Sequence, residues 1–94
     1  MRLHVVVRGR VQGVGFRWFV RECATALDLA GWVKNRADGC VEVLADGDAS
    51  AIARLRAALN EGPRGASVAS VDDLAASSES PVSDSVGRPF SITR

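Results

Sequence analysis

The chain has 94 residues, with 12 Lys+Arg, 11 Asp+Glu and a single His, for a formal net charge of +1. That length predicts one domain spanning residues 1–94, because two cores would leave fewer than about 50 residues each. Hydrophobic content of 47% beside 24% charged residues is globular rather than disordered composition. The near-neutral balance excludes wholesale binding along a nucleic-acid backbone, for which a strongly basic domain is the usual footprint.

Charge is unevenly placed. Residues 1–40 carry seven basic side chains (Arg2, Arg8, Arg10, Arg17, Arg21, Lys34, Arg36) against Glu22, Asp28 and Asp38, while the remainder carries five basic and eight acidic. A small anion is therefore the partner to expect for the first half. No apolar run reaches the roughly 18 residues of a membrane helix. The N-terminal apolar stretch is too short for a signal peptide. The expectation is a cytoplasmic protein with no membrane partner.

In chain order, Leu3, Val5 and Val7 alternate with Arg2, His4 and Arg8, which predicts a strand with one apolar face. A glycine-rich connection, Gly9-Arg10-Val11-Gln12-Gly13-Val14-Gly15, follows. From Phe16 the period changes: Phe16, Phe19, Val20, Cys23, Ala24 and Leu27 form a helical stripe extending to about Leu29, with Gly31 ending the helix. Gly31 to Asn35 reads as a second strand. Asp38-Gly39 marks a hairpin into a third, Cys40 to Ala45. Asp48 or Ser50 is placed to cap a second helix, whose apolar side is Ile52, Leu55, Ala58 and Leu59 and which stops at Asn60-Glu61-Gly62-Pro63. A fourth strand is predicted from Ala66 to about Leu74. The serine-rich segment 75–88 reads as a mobile surface loop, and Phe90 and Ile92 as a short last strand.

This βαββαβ order predicts the α+β, ferredoxin-like sandwich. Two helices would cover one face of a mostly antiparallel sheet of core order 4-1-3-2, with an extra C-terminal strand. Right-handed crossovers make the first two strands parallel. Both then end at one edge, where the glycine loop, Arg17 and Asn35 converge. Asn35 shares parity with Val33, so both should face the helices. Gly13 and Gly15 allow unusual φ and close approach to a ligand. The first N–H groups of a helix lack internal partners, and Arg17 presents a planar fork suited to two phosphate oxygens. The pattern reads as a phosphate-sized anion site, whereas an isolated pair of glycines would read only as a tight turn.

Gly9-Arg10-Val11-Gln12-Gly13-Val14-Gly15-Phe16-Arg17, followed by Gly31-Trp32-Val33-Lys34-Asn35 and Asp38-Gly39-Cys40-Val41-Glu42-Val43, closely resembles the acylphosphatase family. The likeness covers about residues 3–68 and returns at Phe90-Ser91-Ile92, while the serine-rich stretch departs from the family pattern. The resemblance implies hydrolysis of an acyl phosphate to a carboxylate and inorganic phosphate. It implies that Arg17 and the amides of residues 13–17 hold the phosphoryl group and that Asn35 orients water. The expected phosphate-binding residues are Gln12, Gly13, Val14, Gly15, Phe16 and Arg17, with Arg17 and Asn35 catalytic. It implies no metal, no cofactor and no covalent enzyme intermediate.

The alternative is a non-catalytic phosphate- or acyl-phosphate-binding domain. RNA-recognition domains share the βαββαβ order, but they set stacking aromatics on the central strands. The first and third strands of this chain have none, so no nucleic-acid partner is expected. Trp18 and Trp32 read as partly buried packing residues in preference to substrate contacts, and His4 as exposed. Lys34, Arg36, Arg8 and Arg10 read either as solvated strand-end charges or as groups steering the anion. The terminal carboxylate of Arg94 would border the site only if the last strand lies beside the second. Cys23 and Cys40 lack metal-type spacing and fall on opposite sides of the sheet, which predicts two free thiols. Nothing predicts a dimer, so a monomer is expected.

Overall fold

The computed structural model describes residues 1–74 and 89–93, so the serine-rich segment 75–88 and Arg94 lie outside the described residues. Strand β1 (Arg2–Arg10) leads through the glycine loop to helix α1 (Phe16–Ala26), then to β2 (Ala30–Asn35) and β3 (Val41–Asp46). Helix α2 (Ala49–Glu61), β4 (Ser67–Asp73) and β5 (Ser91–Thr93) complete the order. The sheet runs β4-β1-β3-β2-β5. β1 pairs antiparallel with β3 and β4, β2 antiparallel with β3, and β5 parallel with β2. This is the ferredoxin-like α+β arrangement, with both helices packed on a five-stranded sheet.

Alternation decides which side of the sheet meets the helices. Leu3, Val5 and Val7 of β1, Val33 of β2 and Val41 and Val43 of β3 form one core with Phe16, Val20 and Ala24 of α1 and Ile52, Leu55 and Leu59 of α2. The register places Val5 opposite Val43 and Val33 opposite Val43 across the two antiparallel pairs, so β-branched side chains meet in rows. Burying each such side chain stabilises the fold by about 1.5–3 kcal/mol. Of the apolar stripe expected on α1, Phe19, Cys23 and Leu27 are half-buried at its margin. On α2, Ala51 rather than Ala58 is buried.

The end of α1 differs from expectation in its location and cause. The helix stops at Ala26, and Asp28 takes a left-handed φ of 60°. The Leu29 N–H donates to the Ala24 carbonyl (2.9 Å) and the Asp28 N–H to the Thr25 carbonyl (3.0 Å), a Schellman-type termination in which buried Leu29 and Ala24 supply the apolar contact. Aspartate is one of the few non-glycine residues that tolerate this conformation. Gly31 therefore does not end the helix. It lies inside β2 opposite Ala45, where an added Cβ would overlap the Leu44 carbonyl oxygen. Asp48 is the N-cap of α2 by position only; its side chain makes no capping bond.

The far face of the sheet is polar at its surface. His4 Nε2 lies 2.6 Å from Glu42 Oε2, the His4 ring meets Trp32 edge-on at 6.1 Å, and Lys34 Nζ sits 5.3 Å from the Trp32 ring centre. His4 is thus half-buried and paired instead of exposed. Arg36 and Lys34 also approach Glu42, at 3.8 and 4.0 Å. Cys40 is on this side, with Arg8 Nη1 3.6 Å from its sulfur, and Cys23 is on the helix side; both are free thiols. Burial, with the charge of Glu22, raises the Cys23 thiol pKa.

Gly31→Ala should destabilise the protein by at least about 3 kcal/mol, since backbone must move at a left-handed position. Gly39→Ala in the β2–β3 turn, where a Cβ meets nothing within 4 Å, should cost about 1 kcal/mol. Urea unfolding of the two variants measures the difference.

Candidate active site

The antiparallel insertion of β3 between β1 and β2 makes the outer pair run in the same direction. Their C-terminal ends open at one edge, and the chain leaves β1 there through the glycine loop into α1. Gly13 (φ 78°) and Gly15 (φ 77°, ψ 18°) both adopt the left-handed conformation, and nothing lies within 4 Å of where their Cβ atoms would be. Glycine is needed at these two positions for its backbone freedom. The first intrahelical bond runs from the Phe19 N–H to the Gly15 carbonyl at 3.0 Å. The N–H groups of Phe16, Arg17 and Trp18 precede that ladder, at the positive end of the helix dipole.

These residues line a cleft of about 170 Å³. Its walls are Gly13, Gly15, Phe16, Arg17 and Trp18 from the loop and helix, Val11 from the end of β1, Asn35 from β2 and Ile92 from β5. Arg17 and Asn35, 18 positions apart in sequence, thus share one small concavity. Two larger depressions, of about 320 and 310 Å³, lie elsewhere. In the first, the arginines are already engaged, Arg2 with Asp46 and Arg56 with Asp73. The second has Asp28 as its only charged lining residue. Of these three, the smaller cleft is the one with chemistry to offer.

Two features distinguish its polar groups. Among the described residues, Arg17 and Arg10 have no carboxylate partner, whereas Arg2, Arg8, Arg21, Lys34 and Arg36 of the same basic half do; of the two, only Arg17 lines the cleft. An unpaired guanidinium beside free helix N–H groups has the charge and donor geometry that suit an anion. The second is Asn35. Its Oδ1 is buried and has no hydrogen-bond partner among the described residues, a state costing about 1–3 kcal/mol that native proteins rarely maintain without a use.

The remaining expected site residues are placed differently. The Gln12 side chain turns away from the cleft: its Nε2 donates to the carbonyls of Arg36 (2.8 Å) and Cys40 (2.9 Å). It ties the glycine loop to the turn that follows Asn35, a bracing role the sequence pattern does not reveal because the acceptors are main-chain atoms far along the chain. Val14 packs against the core. Only the backbone N–H groups of Gln12 and Val14 are left as anion-binding candidates. Arg8 is held by Asp72 at 3.0 Å, which raises the guanidinium pKa further, and Lys34 and Arg36 belong to the Glu42 group on the far face. None of these three lines the cleft. Trp18 is exposed instead of partly buried, and Ile92 enters the wall because β5 lies beside β2.

The turn braced by Gln12 is closed from within. The Cys40 N–H donates to Asp38 Oδ1 (3.0 Å) and the Arg36 N–H to the Cys40 carbonyl (2.8 Å). That Cys40 N–H chiefly, then the Cys40 thiol and Arg36, holds the Asp38 carboxyl below its usual pKa.

An α+β sandwich with a left-handed glycine loop, an unpaired arginine and an orphan amide oxygen at one sheet edge defines a class of small anion-handling domains. Comparison with known proteins is specific. The Acylphosphatase family model matches residues 3–92. The acylphosphatase of Koribacter versatilis is 57% identical over 67 residues, covering 71% of this chain and 61% of the relative. That of Rhizobium etli is 45% identical over 91 residues, covering 97% and 92%. The crystal structure of acylphosphatase from Bacillus subtilis matches with a TM-score of 0.84 at 39% identity, covering 99% of this chain and 98% of that one. The chain belongs to the acylphosphatase family, and is an enzyme of that family.

Because the Asp38 pKa is depressed, its contribution to the turn is complete above the ordinary aspartate range, about 3.9, and is lost as pH falls through the lowered value. The Cys40 amide proton, followed by NMR during acidification, should shift with a midpoint below that range, and Asp38→Asn should abolish the transition.

Proposed function

We propose that the cleft hydrolyses the mixed anhydride of an acyl phosphate, releasing carboxylate and inorganic phosphate. The observation that carries this reading is the pairing, in one concavity, of the unpartnered Arg17 guanidinium with the buried, unsatisfied Oδ1 of Asn35. The first suits a phosphoryl dianion and the second a water molecule beside it.

The chemistry asks for little more. A carboxylate is a stable, weakly basic leaving group, so its departure needs no strong general acid. Phosphoryl transfer depends mainly on holding the reactants in line and on stabilising charge over the equatorial oxygens. Arg17 and the N–H groups of residues 13–17 meet the second requirement. Asn35 meets the first: its Oδ1 accepts a hydrogen bond from water and aims the oxygen lone pair at phosphorus. A carboxamide takes no proton at neutral pH, so Asn35 orients water without acting as a base. The new P–O bond forms as the bond to the acyl oxygen breaks, the electron pair leaves with the carboxylate, and the water protons pass to phosphate and solvent. No step uses a metal or a covalent enzyme intermediate. In this reading the enzyme acts as a cytoplasmic monomer on small anionic substrates.

Arg17→Ala should lower the turnover of benzoyl phosphate by at least about 10²-fold, the scale of removing an oxyanion donor. Arg17→Lys should rescue little, because an ammonium cannot reproduce the fork. Asn35→Ala should abolish turnover while inhibition by inorganic phosphate is retained. If phosphate affinity collapses in Asn35→Ala, the side chain is a ligand of the anion and its role as a water-positioner is wrong. A folded wild-type protein that binds phosphate but turns nothing over would be a binding domain.

A further inference from the structure

The proposed reaction accounts for the phosphoryl end of the substrate but leaves an exposed aromatic side chain of the cleft unused. Trp18 follows Arg17 in the first turn of α1, lines the same cleft, and is 59% exposed, whereas Trp32 on the sheet is 9% exposed. Single exposed apolar side chains are ordinary. This one is an indole at the mouth of the concavity that holds the unpaired arginine. Trp32 is engaged by His4 and Lys34, but Trp18 has no ring or cation partner among the described residues.

The direction of the reaction supplies the occupant. In-line displacement puts the leaving oxygen opposite the attacking water. In the proposed reaction the water sits at the buried Asn35 Oδ1. The acyl group must then project outward, past the rim that Trp18 forms. The rest of the cleft's non-glycine lining is apolar: Val11, Phe16 and Ile92. Resting on the hydrolytic reading above, we infer that Trp18 is the acyl-recognition residue, an indole platform that favours acyl phosphates with flat or extended apolar acyl groups over those with a bare methyl. It is a specificity-determining residue; the charged and orienting groups act on phosphorus irrespective of what is attached.

The test is steady-state kinetics of the full chain with benzoyl phosphate and acetyl phosphate, comparing wild type, Trp18→Ala and Trp18→Phe. Contact with an aromatic face is worth enough to expect kcat/KM for benzoyl phosphate to fall at least about fivefold more than that for acetyl phosphate in Trp18→Ala. The difference should fall mainly on KM, as for an interaction made equally in the ground and transition states. Trp18→Phe should recover most of it, and the inhibition constant of inorganic phosphate should be the same in all three proteins. Equal losses on the two substrates, or a weakened phosphate inhibition constant, would overturn the inference while leaving the hydrolytic reading in place. A folded wild type that hydrolyses neither substrate would overturn both.

Discussion

The site depends on one topological constraint: β3 runs antiparallel between β1 and β2, so the outer two strands must be parallel and must end at the same edge. The candidate site is hung on that edge. β1 delivers the glycine loop and the unpartnered N-terminus of α1. β2 delivers Asn35, in the same row as Val33 and therefore on the helix side. The core makes the register costly to change, because a slip by one residue would turn Val5, Val33 and Val43 out of the core and Asn35 away from Arg17. The hydrophobic pattern that stabilises the sheet is thus also what aims the polar groups.

Around that frame, the molecule separates its charges by use. Most basic side chains of the first half are balanced by a carboxylate, on the far face through Glu42 and at the strand ends through Asp46 and Asp72. Arg17 is left unpaired in the cleft, next to backbone N–H groups that the helix itself cannot satisfy. Asn35 is left with an unsatisfied acceptor. The second omission costs stability, and both fall where an anion and a water would restore what is missing. The Gln12 bridge explains how two segments far apart in sequence keep a fixed spacing: one carboxamide holds the loop to the carbonyls of Arg36 and Cys40, on either side of the turn that leaves β2.

Much of this is legible in the chain. Alternation and the change to a helical period at Phe16 set the element order, and the order determines the convergence of Gly13, Gly15, Arg17 and Asn35. What escapes the sequence are features decided by three-dimensional neighbours. Asp28, rather than a glycine, ends α1, because Leu29 and Ala24 happen to meet in the core. Gly31 is required by the Leu44 carbonyl across the ladder, which no local pattern records. His4 is half-buried because Glu42 on the adjoining β3 and Trp32 on β2 beyond it meet its ring. Tryptophan usually packs, which is the basis for expecting Trp18 to be partly buried. It is exposed because Phe16, Val20 and Ala24 take the inward face of α1, and position 18 points elsewhere.

The decisive step of the proposed reaction is attack of water on phosphorus held in the glycine loop, with the acyl group leaving as carboxylate. Hydrolysis of benzoyl phosphate by the wild-type protein in ¹⁸O-water containing EDTA addresses this directly, with mass spectrometry of both products. Rapid turnover is predicted, with one ¹⁸O in inorganic phosphate and none in benzoate. Label in the benzoate would mean attack at the carbonyl carbon, and would contradict the roles assigned to Arg17, the loop amides and Asn35.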